Sequence, residues 1–237
     1  MLERLAVDVA VVAGLGIGSY KLKALDSKGA LAAVAVGLIV LELGGFYPFL
    51  AMVIFVVLGV LATKYRFREK AKLGLAQSRN GVRGWGNVLG NGLAAVIFLA
   101  FEYFSHMDVF WAAAFASIAT VNGDTLASEL GKIFGKKPRL ITTFEPARPG
   151  VNGAISWPGE LFALLGSFIM ALFALPLTEQ KVIMLLAVTV GGFIGVNLDS
   201  LIGATLENEG ITNNNSTNFL ASLFGGFIGA LLFYVLA

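Results

Sequence analysis

The sequence predicts an all-α membrane protein, a polytopic bundle of about eight transmembrane helices joined by basic cytoplasmic loops. Hydrophobic residues make up 57% of the 237 residues and charged residues only 14%, and the mean hydropathy is +0.81. These values lie far from those of soluble globular domains. Apolar runs recur along the whole chain, so we expect a single integral membrane domain over residues 1–237.

Eight apolar runs are the candidate membrane spans. They cover residues 5–20, 29–45, 48–63, 88–104, 109–128, 159–177, 182–203 and 217–236. Several are shorter than the roughly 20 residues that a helix needs to cross a bilayer, so we expect some spans to be short or broken. The second and third runs are separated only by residues 44–48, which predicts a tight hairpin. The first run follows an acidic residue and precedes no clear cleavage site, which favours a span over a removable signal.

The basic residues indicate the orientation. If the spans alternate, 15 of the 17 lysines and arginines fall on one side of the membrane. The positive-inside rule makes that side cytoplasmic and leaves both termini outside. We therefore expect a protein of the cell membrane whose active-site face consists of the cytoplasmic loops at about 64–87, 131–158 and 204–217.

Composition excludes several classes of function. The chain contains no cysteine, which excludes disulfides, thiolate metal sites and cysteine nucleophiles. A net charge of +2 does not indicate nucleic-acid binding. Neither the Walker motif nor the glycine-rich loop of protein kinases is present. The sequence does not define the oligomeric state.

One stretch, residues 119–160, brings together the residue types that phosphate chemistry requires. Carboxylates can hold a divalent cation, clustered cations neutralise phosphate, and a glycine-rich turn offers backbone N–H groups to phosphate oxygens. In chain order the candidate residues of this stretch are Asn122, Asp124, Glu129, Lys132, Arg139, Arg148, Gly150, Asn152, Gly153 and Ser156. This order predicts phosphate chemistry at a membrane surface.

A short internal repeat points to the acidic centre of the site. Residues 121–126, VNGDTL, and 196–201, VNLDSL, both end a predicted span on the cytoplasmic side. Asp124 and Asp199, with amide oxygens nearby, form an oxygen-only ligand set suited to Mg²⁺. Residues two apart on a helix point about 200° away from each other, so Asn122 and Asp124 share an ion only if the helix breaks at Gly123.

Other polar residues each allow a structural and a functional interpretation. Asp26 and Ser27 cap the next helix or add to a metal and phosphate cluster, and Asn218 caps the last helix or joins the site. Glu207 adds a further carboxylate in the last cytoplasmic loop.

The basic segment 64–83 likewise allows two interpretations. It is either a surface helix on anionic lipid, which the residues alone favour, or a phosphate site. In the second case Arg79, Asn80 and Arg83 contribute to that site, beside a turn whose backbone N–H groups converge.

Six segments resemble, in order, a family of membrane proteins that includes the chloroplast phytyl-phosphate kinase. They are LDSKGALAAVAVG, SRNGVRGWGNVLGNG, NGDTLASELG, PRLITTFEPARPGVNGAISWPGE, NLDSLIGATLE and TNFLAS. The resemblance implies transfer of the γ-phosphoryl group of a nucleoside triphosphate, with CTP as the expected donor, to an isoprenoid monophosphate lying in the bilayer.

On this hypothesis, each group of candidate residues has a role. The catalytic and metal group, holding Mg²⁺, comprises Asp124 and Asp199 with Asn122, Asn197 and Glu129, and Asp26 is a further metal candidate. The donor phosphates would contact Lys132, Arg139, Arg148, Gly150, Asn152, Gly153 and Ser156. The acceptor phosphate would contact Lys28, Arg79, Asn80 and Arg83.

Three alternatives remain open at this stage. A nucleotidyltransferase that attaches CMP to a lipid phosphate would use the same metal and cations but release pyrophosphate. A secondary transporter would use paired polar motifs on helices of like orientation to line an ion path. An inactive scaffold would show no nucleotide-dependent heat in calorimetry.

Overall fold

The computed structural model describes residues 2–237 and confirms the helical membrane fold. Its helices are α1 (Leu2–Lys21), α2 (Ser27–Gly44), α3 (Phe46–Lys64), α4 (Phe67–Lys72), α5 (Trp85–Ser105), α6 (Asp108–Phe134), α7 (Trp157–Leu172), α8 (Lys181–Ile202) and α9 (Asn214–Leu236). A π-helical turn, Gly203–Glu207, extends α8. The only strands in the described residues, β1 (Arg139–Leu140) and β2 (Ala154–Ile155), form a small antiparallel pair.

Eight of these helices are long, and each coincides with one of the predicted spans. Six segments are long and apolar enough to cross a membrane by length and composition alone, namely α2, α3, α5, α7 extended through a 3₁₀ turn to Leu177, α8 with its π-helical turn, and α9. The other two, α1 and α6, carry several charged side chains. The predicted hairpin is also present, because α2 ends at Gly44 and α3 begins at Phe46. Gly45 joins them with φ +73°, a left-handed conformation that glycine adopts without steric cost.

Helix α6 forms the centre of the bundle. From Ala112 to Asn122 no residue exposes more than 3% of its surface. The helix packs against α3, α5, α7, α8 and α9, which together enclose its first half. Small side chains on α6 allow these neighbours to approach closely, as is usual for helix packing in membranes.

Glycines form the contact between α6, α8 and α9. Gly191 and Gly195 of α8 face Gly225 and Gly229 of α9, and a Cβ on Gly191 would lie 2.7 Å from the Gly229 nitrogen. A Cβ on Gly195 or Gly225 would overlap Thr120 of α6. The spacing of four residues on each helix is the small-xxx-small pattern of membrane helix pairs.

Helix ends differ from the predicted loop boundaries at several places. Helix α6 continues to Phe134, six residues beyond the predicted span, so Glu129 and Lys132 are helical. Helix α5 begins at Trp85, and α9 begins at Asn214. The connections that carry the predicted site residues nevertheless meet at one end of the bundle, because successive long helices run in alternating directions.

We expect Gly225→Val to destabilise the bundle by about 1–3 kcal/mol, because the added side chain overlaps Thr120 and α9 must move away from α6. The control is Gly14→Val, since a Cβ at Gly14 meets no atom within 4 Å. Thermal unfolding in detergent measures both variants. Equal melting temperatures for the two would contradict the packing described.

Candidate active site

A cavity of about 1070 Å³ opens at the end of the bundle where the basic connections meet. Its walls come from the starts of α2, α5, α7 and α9, the ends of α6 and α8, and the connections between them. Thirteen of the residues predicted from the sequence line it. They are Asp26, Lys28, Arg79, Arg83, Asp124, Lys132, Gly150, Asn152, Gly153, Ser156, Asp199, Glu207 and Asn218.

Asp124 and Asp199 enter the cavity from different helices. Asp124 lies on the half-buried side of α6, and Asp199 lies one turn before the end of α8. Asp124 and Glu207 are the carboxylates that act electrostatically on Asp199. Lys132 and Arg83 are the cations that act on Asp124. The repeated motif thus places two like charges and two cations at one cavity.

Within residues 2–237, Asp124 makes no hydrogen bond or ion pair, whereas the cavity carboxylates of Glu160 and Glu207 accept hydrogen bonds from neighbouring side chains. Asn197 donates to Glu160 Oε2 at 3.1 Å. Glu207 accepts from Asn152 at 3.3 Å and from the Thr217 hydroxyl at 2.9 Å. Asp124 is therefore the carboxylate most available to a ligand.

Asn218 lies against Asp199. When the Asn218 side-chain nitrogen faces the carboxylate, it donates to Asp199 Oδ2 at 3.1 Å, and Asn218 Oδ1 then lies 2.9 Å from the Asn91 side-chain amide. It does not cap α9. The cap is Asn213, whose side chain accepts from the Ser216 N–H at 3.2 Å while Ser216 Oγ accepts from the Asn213 N–H. Asn218 thus joins the site, one of the two interpretations that the sequence left open.

Asp26 both caps α2 and binds a cation. Its Oδ1 accepts from the Gly29 N–H at 2.7 Å, and its Oδ2 accepts from Arg79 Nη2 at 2.8 Å. The Gly29 hydrogen bond and, after it, the Arg79 hydrogen bond hold the pKa of Asp26 below its ordinary value. Because both oxygens already have partners, Asp26 fits the role of an anchor for Arg79 better than that of a metal ligand.

The Arg79 turn has unusual backbone geometry. Arg79, Asn80 and Gly81 all have positive φ, at 53°, 56° and 80°. For residues other than glycine this conformation costs about 1–2 kcal/mol each. Two backbone hydrogen bonds hold the end of the turn to the α1–α2 connection, from the Asp26 N–H to the Arg83 carbonyl and from the Arg83 N–H to the Ala24 carbonyl, each 3.0 Å. Strained backbone of this kind is concentrated at functional sites.

Arg83 points inward at the contact between α3 and α6. A Cβ on Gly59 would lie 3.3 Å from Arg83 Nη1 and 3.4 Å from Thr125 Cγ2. Burial lowers the pKa of Arg83, while Glu129 and Asp124 oppose that effect. An arginine retains its charge under these conditions, so Arg83 brings a permanent cation close to Asp124.

The connection at residues 149–156 has the geometry of an anion-binding turn. Gly150 and Gly153 have φ of +82° and +75°. Within residues 2–237 the backbone N–H groups of Asn152 and Gly153 donate to no protein acceptor. Free N–H groups in such a turn form a concavity that suits phosphate oxygens. Ser156 closes the segment by capping α7, accepting from the Gly159 N–H at 3.2 Å.

Seven predicted residues lie outside the cavity lining, and three of them serve the helix core. Asn122 is fully buried and donates to the Gly166 carbonyl at 2.8 Å. Helix α6 does not break at Gly123, because α7 and α8 pack tightly against that glycine, so Asn122 and Asp124 face different directions. Asn197 orients Glu160. Glu129 is buried between two lysines.

The other four lie at the surface. Arg139 donates to the Phe144 carbonyl at 2.6 Å and so stabilises the turn that follows β1. Arg148 is exposed. Asn80 is exposed in the strained turn, and Ser27 is the exposed first residue of α2. These four residues were predicted to bind phosphate or, for Ser27, to belong to a metal and phosphate cluster. None of them lines the cavity.

The cavity also contains polar residues that the sequence interpretation did not include. Glu160 lies in the first turn of α7, and Gln77 precedes the strained turn. Asn87 and Asn91 lie in the first turns of α5 and form a chain of amides with Asn218, with contacts of 3.1 Å between Asn91 and Asn87 and 2.9 Å between Asn218 and Asn91. The sequence could have indicated Asn87 and Asn91 as cavity residues, because amide side chains within an apolar run usually face a bundle interior or a wet cavity.

Asp124 and Asp199 are the carboxylates of this cavity that could hold a metal ion. Residues 2–237 contain no group of three or more His, Cys, Asp or Glu side chains placed to hold a metal ion. Mg²⁺ commonly binds through one or two carboxylates and completes its octahedron with waters and substrate phosphates. Asp124 and Asp199, supplemented by amide oxygen, provide such a partial set.

Comparison with known proteins identifies the family. Residues 10–226 match the family described as integral membrane protein DUF92, and the chain belongs to this family. An uncharacterized membrane protein of Methanocaldococcus jannaschii is 35% identical over 99% of this chain and 97% of its own length. One from Synechocystis is 34% identical over 73% of this chain and 68% of its own length.

A chloroplast protein is also among the relatives. Protein VTE6 of Arabidopsis thaliana is 29% identical over 88% of this chain and 65% of its own length. No solved structure matches the chain. The resemblance to the prenyl-phosphate kinase-like family is thereby confirmed at the level of the family.

We expect Gly153→Ala to impair both stability and phosphate binding. The added Cβ would overlap Ala204 and lie 2.8 Å from the Ser200 carbonyl oxygen, so the anion-binding turn must move away from α8. Gly210→Ala is the matched control, because Gly210 has a similar φ of +74° but open space around it. Thermal shift in detergent, with and without inorganic pyrophosphate, measures both effects. A pyrophosphate response equal to that of Gly210→Ala would argue against this role for the turn.

Proposed function

We propose that this protein is a membrane-embedded kinase that transfers the γ-phosphoryl group of a nucleoside triphosphate to a prenyl monophosphate. The products are a prenyl diphosphate and a nucleoside diphosphate. One observation carries the proposal: a single cavity combines an unpartnered carboxylate, Asp124, with a second carboxylate, inward cations and an open glycine turn. Phosphoryl transfer needs positioning and charge neutralisation more than covalent chemistry, so such a cavity is sufficient.

Asp124 and Asp199 would hold Mg²⁺, which when bound neutralises charge on the donor phosphates. Lys132 and the free N–H groups of Asn152 and Gly153 would bind the donor triphosphate on the side of α6 and α7. The acceptor phosphate would contact Arg79 and Arg83 on the connection between α4 and α5. A phosphate acceptor is already anionic, so the transfer does not require a strong general base.

The distribution of charge supports a cytoplasmic location of the site in the cell membrane. The cavity lies at the end of the bundle that carries 15 of the 17 basic residues. Nucleoside triphosphates are available on the cytoplasmic side, while a prenyl monophosphate would remain in the bilayer with its phosphate at the surface. CTP is the expected donor on the family resemblance.

Purified protein incubated with Mg²⁺, geranylgeranyl phosphate and CTP, ATP, GTP or UTP in turn should yield geranylgeranyl diphosphate and a nucleoside diphosphate. Mass spectrometry of lipid and nucleotide products distinguishes this outcome from its rivals. A CMP-lipid with pyrophosphate would identify a nucleotidyltransferase. Folded protein that produces neither, yet carries solute across proteoliposomes without nucleotide, would establish a transporter.

Asp124→Asn should reduce kcat by about 100-fold or more while the protein remains folded, because the amide keeps the shape but removes the anionic metal ligand. Asp8→Asn is the control, since Asp8 pairs with Arg4 on α1 and does not line the cavity. Turnover is measured across a Mg²⁺ titration. Near-normal turnover of Asp124→Asn at saturating Mg²⁺ would exclude the metal role.

A further inference from the structure

A buried charge cluster lies directly behind the cavity wall. Lys70 of α4 is 0% exposed, although α4 is a six-residue helix in a connection between two long helices. Its Nζ donates to the Ala62 carbonyl of α3 at 3.0 Å and forms a short ion pair with Glu129 Oε2 of α6. Lys70 thus links α3, α4 and α6 at one point.

Glu129 is the centre of this cluster. It is 1% exposed and does not line the cavity. Its second oxygen, Oε1, accepts from Lys132 Nζ at 3.4 Å, and the Gln77 side chain approaches the same carboxylate. Two lysines therefore pair with one buried carboxylate, and the Gln77 side chain lies near it.

Some residues of this cluster line the cavity and others are buried behind its wall. Lys132 and Gln77 line the cavity, whereas Lys70 and Glu129 lie behind them. A lysine side chain is flexible and has many rotamers. The ion pair with Glu129 restricts the rotamers of Lys132. Lys70 provides the second positive charge that keeps the buried carboxylate balanced when Lys132 engages an anion.

The position of Glu129 also separates it from the metal candidates. Asp124 precedes it by five residues on α6, and five residues at 100° each place the two side chains about 140° apart on the helix. Both Glu129 oxygens are already occupied by lysines, so neither is directed at a shared ion with Asp199. A metal ligand with two ammonium groups on its oxygens would bind a cation poorly.

We propose that Glu129 is a positioning residue: with Lys70 as its buried counter-charge, it fixes Lys132 at the cavity wall in the orientation that receives an anionic substrate. This inference rests on the proposed function for the identity of the anion, the nucleoside triphosphate. On this proposal, α4 supplies Lys70 as the counter-charge of Glu129, in addition to any contact that α4 makes with lipid.

The main test is the double variant Lys70→Met with Glu129→Gln. It removes both buried charges while retaining similar volume, so no unpaired charge remains inside the protein. We expect the KM for the nucleotide to rise about tenfold with kcat within about threefold, and the Mg²⁺ dependence to remain unchanged. A fall in kcat of about 100-fold with an altered Mg²⁺ requirement would overturn the proposal in favour of metal ligation by Glu129.

A second measurement does not depend on catalysis. Acylation of lysine amines, followed by peptide mass spectrometry, reports how firmly Lys132 is held, since its side chain is 16% exposed in the wild-type protein. We expect several-fold faster labelling of Lys132 in the double variant, and Lys136 serves as the exposed internal control. Unchanged labelling of Lys132 would refute the positioning role even if the wild-type protein proves to be a kinase.

A conservative variant provides a second test in case the double variant does not fold. Glu129→Asp keeps the charge but shortens the side chain by one methylene, so it cannot reach both lysines at once. It should accelerate Lys132 labelling while Lys70 stays protected. If wild-type protein forms no prenyl diphosphate, the labelling result still decides the positioning role, and only the proposed function fails.

Discussion

Helix α6 must pack closely against other helices along its first half and must provide water or charged partners for the ionisable side chains of its second half. The arrangement of the other helices depends on these two requirements. Its first half is surrounded by other helices, and from Ala112 to Asn122 almost nothing is exposed. Its second half carries Asp124, Glu129 and Lys132, which a membrane interior does not accept without partners or water. Small residues on the neighbouring helices allow close packing around the first half, and the bundle opens into a wet cavity around the second.

The polar side chains Asn122, Asp124 and Glu129 lie within two turns of α6, yet each has a different environment. The Asn122 side-chain nitrogen donates to a backbone carbonyl of α7, while its Oδ1 has no partner within residues 2–237. Glu129 pairs with Lys70 of α4 and with Lys132 one turn further along α6. Asp124 alone faces the cavity without a partner in the described residues. The difference arises from direction around the helix, since α6 remains continuous through Gly123. A carboxylate that the fold leaves unpartnered, beside Arg83, is where ligand chemistry is most favourable.

The connections between helices complete the site through backbone geometry as much as through side chains. The strained turn at Arg79–Gly81 is tied to the α1–α2 connection, and Asp26 anchors it through both a cap and an ion pair. The turn at residues 149–156 packs against α8 through Gly153. Two segments far apart in sequence thereby line one cavity.

The sequence by itself determined the membrane class, the positions of eight long helices, the end of the bundle that carries the basic residues and the pairing of Asp124 with Asp199. Hydropathy and the repeated motif depend only on local order, so they can be read without a fold. Only the tertiary structure decided which polar residues reach the cavity. Glu129 and Asn122 occur in the same stretch as Asp124, yet their direction around α6 and their partners on other elements place them elsewhere. Lys70 became buried because α4 folds back onto α3 and α6, a contact between distant segments that no local pattern encodes.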